Sequence, residues 1–206
     1  MILESICVGP YQVNCYVLAI GSGGKAIIID PGADFAKIQG FLDKHKLKPA
    51  FIINTHGHFD HIGCDDKFAV PIYVHSQDLP LLKDPELNLS NFLSGPHQVN
   101  CQIKKLIDGQ LIELDGIQLE VMHMPGHTPG GIALALKKPQ DKIVFTGDSL
   151  FRFSIGRTDF PGSDEAALIR SIKTRLLKLP DETVVYPGHG PSSTIGQEKK
   201  GNPFLN

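Results

Sequence analysis

The sequence predicts an α+β (α/β) fold of four layers, αββα, in which two mixed β-sheets lie face to face with helices outside both. Three observations predict it. Both halves of the 206-residue chain run through short apolar strands separated by Gly- and Pro-containing turns. Each half also carries one amphipathic helical pattern long enough to cover a sheet. Side chains suited to holding metal stand just after apolar strands in both halves, so a common centre requires the two sheets to meet.

Residues 2–8, 14–20 and 25–30 read as strands joined by turns at Gly9-Pro10 and Gly21 to Gly24. A helix is expected at about 34–46, with Phe35, Ile38, Phe41 and Leu42 on one face. The apolar run Ala50-Phe51-Ile52-Ile53 reads as a buried strand, followed by a helix near 60–69 and a strand at 71–74. The second half adds strands near 103–107, 111–114, 117–123, 131–136 and 142–146. A helix at about 164–178 puts Ala167, Leu168, Ile172, Leu176 and Leu177 on its apolar side, and a strand at 183–186 follows. With no solenoid repeat and no low-complexity linker, residues 1–206 are expected to form a single domain.

Composition narrows the function classes. Twenty basic residues against twenty-two acidic ones give a formal charge of −2, and basic residues never run beyond the pairs at 104–105, 137–138 and 199–200. A nucleic-acid footprint is absent. The start Met-Ile-Leu-Glu-Ser-Ile-Cys has no basic n-region, so no secretory signal is expected, and no stretch of 18 apolar residues suggests a membrane span. Cys7, Cys15, Cys64 and Cys101 are scattered without a Cys-x-x-Cys, which suits a cytoplasmic protein with reduced thiols. No pattern speaks to oligomeric state.

The most informative stretch is Thr-His-Gly-His-Phe-Asp-His at 55–61, where His56, His58, Asp60 and His61 fall within six residues. Spacing of i and i+2 on an extended segment puts the first two imidazoles on one side. Adjacent residues point apart, so Asp60 and His61 suit a second metal beside the first. Three more donors follow short apolar strands and Gly-containing turns: His127 in Met-Pro-Gly-His-Thr-Pro-Gly-Gly, Asp148 in Phe-Thr-Gly-Asp-Ser, and His189 in Val-Val-Tyr-Pro-Gly-His-Gly. Together they supply enough donors for two metals if one aspartate bridges.

In these motifs the chain resembles metallo-β-lactamase-fold hydrolases, and within them the short bacterial members of the hydroxyacylglutathione hydrolase (glyoxalase II) group. The closer resemblance rests on Pro-Gly-His-Thr-Pro-Gly-Gly at 125–131, Gly-Asp-Ser-Leu-Phe at 147–151 and Ser-Ile-Gly-Arg-Thr-Asp-Phe-Pro-Gly at 154–162. Gly-His-Gly-Pro-Ser-Ser-Thr-Ile-Gly-Gln-Glu at 188–198 and Asn202-Pro203-Phe204 fit it too. The resemblance implies that His56, His58 and His127 hold one metal, that Asp60, His61 and His189 hold another, and that Asp148 bridges them. The full-length enzymes of that group carry an extra C-terminal helical region with glutathione contacts, which is not expected here. At position 64 the group commonly has Gly where this chain has Cys64, expected to be a packed residue rather than a metal-proximal or redox one.

Such donors would take two divalent ions, zinc first and iron or manganese also accepted, and would acidify bound water toward a pKa of about 7. The expected reaction is hydrolysis of a small-molecule thioester, S-lactoylglutathione or a related hydroxyacyl thioester, by a metal-bridging hydroxide. Asp60 and Asp148 are the candidate catalytic residues. A thioester suits the site because its thiol, of pKa about 8.5, leaves without a strong general acid. Within the loop 151–162, Phe151, Arg157 and Phe160 are candidate substrate contacts, Arg157 either as a carboxylate clamp or as the partner of Asp159. Other readings are a mononuclear iron persulfide dioxygenase using a two-His, one-carboxylate triad, a non-enzymatic metal- or ligand-binding module, and a nuclease or β-lactamase. His123 and His75 are expected to be structural, His45 to end a helix in solvent, and His97 to lie near the cleft.

Overall fold

The structure is a computed structural model that describes residues 1–139 and 142–205. Gln140, Asp141 and Asn206, which the expected 1–206 domain includes, lie outside the described residues. One six-stranded sheet runs in the order β1 (Ile2–Val8), β2 (Val13–Ala19), β3 (Lys25–Ile29), β4 (Lys48–Ile53), β5 (Ile72–His75), β6 (Ile103–Leu106). Its first three strands are antiparallel and the rest parallel. The second half contributes β7 (Leu111–Leu114), β8 (Ile117–His123), β9 (Ile132–Lys138), β10 (Ile143–Gly147), the hairpin β11 (Leu150–Phe151) and β12 (Ser154–Ile155), then β13 (Val184–Pro187) and β14 (Ser193–Thr194). Its six-stranded sheet has the order β14-β13-β10-β9-β8-β7, parallel only between β10 and β13.

Period-two alternation sorts the side chains between layers. Tyr16, Leu18, Ile27, Ile29, Phe51 and Ile53 face the second sheet and meet its Leu119, Val121, Leu134, Leu136 and Phe145. Their neighbours Val17, Ile28 and Ile52 turn to the outside, under Ile38 and Leu42 of helix α1 (Phe35–Lys44). On the far side Ala133, Ala135 and Val144 are covered by Leu168 and Ile172 of α5 (Glu165–Thr174). Strands covered on both faces must be apolar throughout, as β2 is: all seven of its residues are buried. Each fully buried aliphatic side chain contributes about 1.5–3 kcal/mol.

Two expected helices are shorter than their patterns. The one placed at 60–69 is a single turn, α2 (Phe59–Ile62), followed by a 3-10 turn at Asp65–Lys67. It stops because Cys64 N–H donates to Pro31 O at 2.9 Å, and because Gly63 lies against Gly32 O, which a Cβ would approach to 2.3 Å. The helix placed at 164–178 ends at Thr174, and Leu176–Lys178 tightens to 3-10. Helices α3 (Leu79–Lys83), α4 (Ser90–Leu93) and α6 (Ile195–Gly201), with the short strands β11, β12 and β14, are additional to the expected set. α6 carries a legible start signal: Thr194 and Gln197 form a reciprocal capping box.

Candidate metal centre

Every donor stands where a strand of one sheet runs into a loop facing the other. β4 ends at Ile53, and the next backbone groups are tied down: Asn54 N–H donates to Tyr73 O at 2.9 Å and Thr55 N–H to Asp30 Oδ1 at 2.7 Å. His56 follows in a bend rather than the expected extended segment, His58 on extended backbone, and Asp60 and His61 on α2. His127 sits in the loop after β8, closed by hydrogen bonds from Met124 N to Gly131 O (2.7 Å) and Gly126 N to Thr128 O (3.0 Å). Asp148 follows Gly147, whose φ of +48° suits glycine and whose missing Cβ makes room for Thr55. His189 follows β13 and is held to β2 by the hydrogen bond from Asn14 N to Gly188 O, 2.7 Å.

The loops bring the seven donors into adjoining groups. One atom each of His56, His58 and His127 lies within 4.8 Å of the others, and the same holds for Asp60, His61 and His189 and for His56, His61 and Asp148. Asp148 reaches both sides, with Oδ1 3.4 Å from His61 Nε2 and Oδ2 3.6 Å from His127 Nε2 and 3.5 Å from His189 Nε2. His61 Nε2 and His189 Nε2 are 3.4 Å apart, and His189 Nε2 is 3.4 Å from Asp60 Oδ2. Donors about 2.0–2.1 Å from one tetrahedral ion lie roughly 3.3 Å from each other, so these spacings fit a shared cation. His56 Nε2 and Asp148 Oδ1 are buried with no hydrogen-bond partner, as expected of atoms reserved for metal. Asp60 and His61, although adjacent, do not point apart as expected. One helical turn lets Asp60 Oδ2 and His61 Nε2 come within 4.0 Å.

Tautomers follow from the partners. A carbonyl only accepts, so His127 Nδ1–H donates to Arg157 O (2.7 Å) and His189 Nδ1–H to Tyr11 O (2.9 Å), leaving Nε2 of each free to bind. His61 Nδ1–H donates to Asp30 Oδ2 at 2.9 Å. His58 differs, directing Nδ1 inward, 2.9 Å from His127 Nε2. Burial holds His56 and His58 below the usual imidazole range, His58 at about 3. Burial also opposes charge on His61 and His189, but Asp148 with Asp30 and Asp60 raises His61 to about 9, and Asp148 with Asp60 raises His189 to about 11. At neutral pH His56 and His58 are thus neutral, while His61 and His189 carry protons that a bound metal ion would displace.

Two buried carboxylates that the motif does not contain support this centre. Asp30 binds Thr55 and His61, the carboxylate–imidazole pairing that fixes a ligand's ring. Asp78 follows β5, and its carboxylate accepts from Gly57 N (2.9 Å), Thr128 Oγ1 (2.8 Å) and Gly130 N (2.6 Å). It ties the residue between His56 and His58 to those flanking His127. His-Ser-Gln-Asp after a strand carries no metal-like spacing, and only the contact between the halves reveals Asp78. Asp78→Ala would strand three donors, each costing about 1–3 kcal/mol when buried and unpaired. Affinity at the His56/His58/His127 group should fall roughly tenfold to a hundredfold, and the Asp60/His61/His189 group should lose less. Metal titration with a competing chelator measures both, and equal loss at the two groups would show that Asp78 does not act locally.

A cavity of about 330 Å³ over the donors is lined by Tyr11, Phe59, Leu89, Phe151, Arg157 and Phe160 among others. Arg157 is two-thirds exposed and pairs in bidentate fashion with Asp159, Nε–Oδ1 2.9 Å and Nη2–Oδ2 2.8 Å, with its guanidinium over the Phe160 ring. Cys64 does not share a helical face with the donors, because α2 ends before it, and it packs in the outer core under α1. His123 stacks on His75 with ring centres 4.0 Å apart and binds Pro129 O through Nε2, away from the donor groups. His45 caps α1, half-buried against Phe41. His97 lines a separate cavity next to Asp60. Among the described residues no helix is long and apolar enough to cross a membrane.

Comparison with known proteins identifies relatives of the whole chain. The chain is 38% identical, over all of its length and 99% of the other's, to a Haemophilus influenzae protein named hydroxyacylglutathione hydrolase GloC. Its structure superposes on that of BLEG-1 B3 metallo-beta-lactamase with a TM-score of 0.92 at 39% identity, covering both chains completely. It superposes on TTHA1623 in a di-iron-bound form with a TM-score of 0.83 at 38% identity, over 98% of this chain and 100% of that one. The family model of the metallo-beta-lactamase superfamily matches residues 8–189, a span that runs from the last residue of β1 to the last histidine of the centre, and the chain belongs to that superfamily.

Proposed function

We propose that this metallo-hydrolase cleaves thioesters, S-lactoylglutathione or a related hydroxyacyl thioester, at a two-metal centre. The observation that carries the reading is the Asp148 carboxylate, one oxygen beside His61 and the other beside His127 and His189. Divalent ions bound there would supply Lewis acidity and water with a pKa near 7. The chain's own part is positional. Asp30, Thr55 and the Arg157 and Tyr11 carbonyls hold the imidazoles, and Phe151, Phe160, Phe59 and Leu89 shield the reacting group from bulk water. The cavity offers no carboxyl or imidazole outside the donor set to protonate a departing group. That favours a thiolate, which leaves unprotonated, over an amine. The relative named hydroxyacylglutathione hydrolase points the same way. Likeness to a B3 metallo-beta-lactamase makes a β-lactam the natural competing substrate.

Elemental analysis with a substrate panel tests the reading. Fully loaded protein should hold two ions per chain and hydrolyse lactoyl and simple acyl thioesters far faster than a β-lactam. A single ion per chain with the Asp60/His61/His189 group empty, and oxygen uptake with a persulfide, would favour the iron dioxygenase. Stoichiometric metal with no turnover of any ester would favour a binding module.

A further inference from the structure

A second cavity lies beside the donor groups and takes no part in the chemistry above. At about 670 Å³ it is twice the size of the one over the donors, and within the range of small-molecule sites, about 300–1,000 Å³. The two share Tyr11, Phe59, Asp60 and Leu93 as walls, so a ligand can extend from one into the other. Its remaining walls are Val8 to Pro10 and Val13 around the β1–β2 turn, Gly32-Ala33, Gly63, and residues 94–97 after α4. No Lys or Arg lines it; its one carboxylate, Asp60, is turned toward His189 and His61, and its one imidazole, His97, has a buried Nε2 without a hydrogen-bond partner. Of its walls, Tyr11 and Leu93 are 42% and 50% exposed, so apolar surface at the cavity reaches solvent. Arg157 lines the donor cavity but not the second one.

Building on the thioester reading, we propose that this second cavity receives the acyl group of the substrate, and that the favoured acyl group is uncharged, apolar and much larger than lactoyl. An anionic group there would lose its hydration beside the Asp60 carboxylate, with no Lys or Arg to replace it. An alkyl or aryl chain gains by leaving water for walls such as Val8, Pro10, Ala33 and Leu93. Asp60 stands at the junction, so an acyl chain in the second cavity brings its carbonyl beside the donors while the thiol lies toward Arg157. Water adds to the carbonyl carbon, the carbon–sulfur bond breaks, and the products are a carboxylate, a thiol and a proton.

The experiment uses metal-loaded protein and N-acetylcysteamine thioesters from acetyl to octanoyl. kcat/KM should rise about two- to fourfold per methylene until the cavity is filled. Ala33→Phe, which occupies the space, and Leu93→Asn, which makes the half-exposed shared wall polar, should each flatten that slope in variants with unchanged metal content and Tm. A flat or falling series in the parent protein overturns the proposal. So does an equal gain when the same methylenes are added to the thiol instead. Binding of S-(2-oxoalkyl) thioethers, which lack the scissile bond, is measured alongside by calorimetry. If no thioester turns over but longer thioethers bind more tightly, the thioester reading fails and the cavity assignment stands. If affinity ignores chain length, the cavity assignment fails whatever the turnover.

Discussion

Asp148→Ala is expected to strip both metal groups together, lowering affinity at each by more than about a hundredfold, the upper end of what supporting residues alone contribute. The carboxylate is the one donor with an oxygen toward each group. Burial opposes its charge, yet His61, His189, His56 and His127 hold its carboxyl well below the usual range, so it is an anion ready for cations. Without it the remaining imidazoles would face a cluster stripped of its central charge. His123→Ala is the matched control, because His123 meets His75 and Pro129 and no donor. Metal content after exhaustive dialysis should stay near two ions per chain for His123→Ala and fall below one for Asp148→Ala. Equal losses from the two would show that Asp148 is not the shared donor.

Gly188→Ala should be nearly as damaging although it removes no ligand. A Cβ there would lie 2.1 Å from Asp148 Oδ1 and 2.9 Å from the His61 ring. The backbone cannot retreat: Gly188 N donates to Gly147 O at 2.8 Å, and its carbonyl accepts from Asn14 N at 2.7 Å. Something in the donor cluster must move, at a cost of about 1–3 kcal/mol for overpacking. In a chain of this size each kilocalorie lowers Tm by roughly 2–4 °C. Metal affinity should drop at least about tenfold with it. Gly190→Ala separates crowding from backbone strain. Gly190 has a φ of +73° but open space around it, so alanine there should lower Tm while leaving the metals in place. If Gly190→Ala lost as much metal as Gly188→Ala, crowding of Asp148 would not be the cause.

Much of the centre was legible because its residues are chemically unusual and locally spaced. A filled His-x-His-x-Asp-His after the apolar Ala50–Ile53 run has few structural uses, and the turns carrying His127, Asp148 and His189 repeat the same strand-then-glycine plan. The long strands were legible for a similar reason, since apolar runs covered on both faces stand out from polar loops. The helix expected at 60–69 is cut short because its pattern is helical while its end is set by Pro31 and Gly32, some thirty residues earlier in the chain. The Thr194/Gln197 capping box marks the start of α6 in the sequence, although α6 lies outside the expected set.

Asp78 and Arg157 mark where local pattern stops informing. An aspartate in a polar turn looks solvated until packing buries it between Gly57, Thr128 and Gly130. An arginine beside an aspartate two residues on is equally a clamp or a pair, and the fold shows the pair. Strand pattern and donor chemistry are short-range properties, carried by residues within a few positions of one another. The partition of seven donors into adjoining groups, the carboxylates that hold the imidazoles, and the cavity shared through Asp60 depend on residues such as Asp148 and His61, or Tyr11 and Phe59, that meet only when two sheets close on each other. Those contacts are decided by the packing of the whole chain, because a hydrogen bond or a wall needs both of its partners in place.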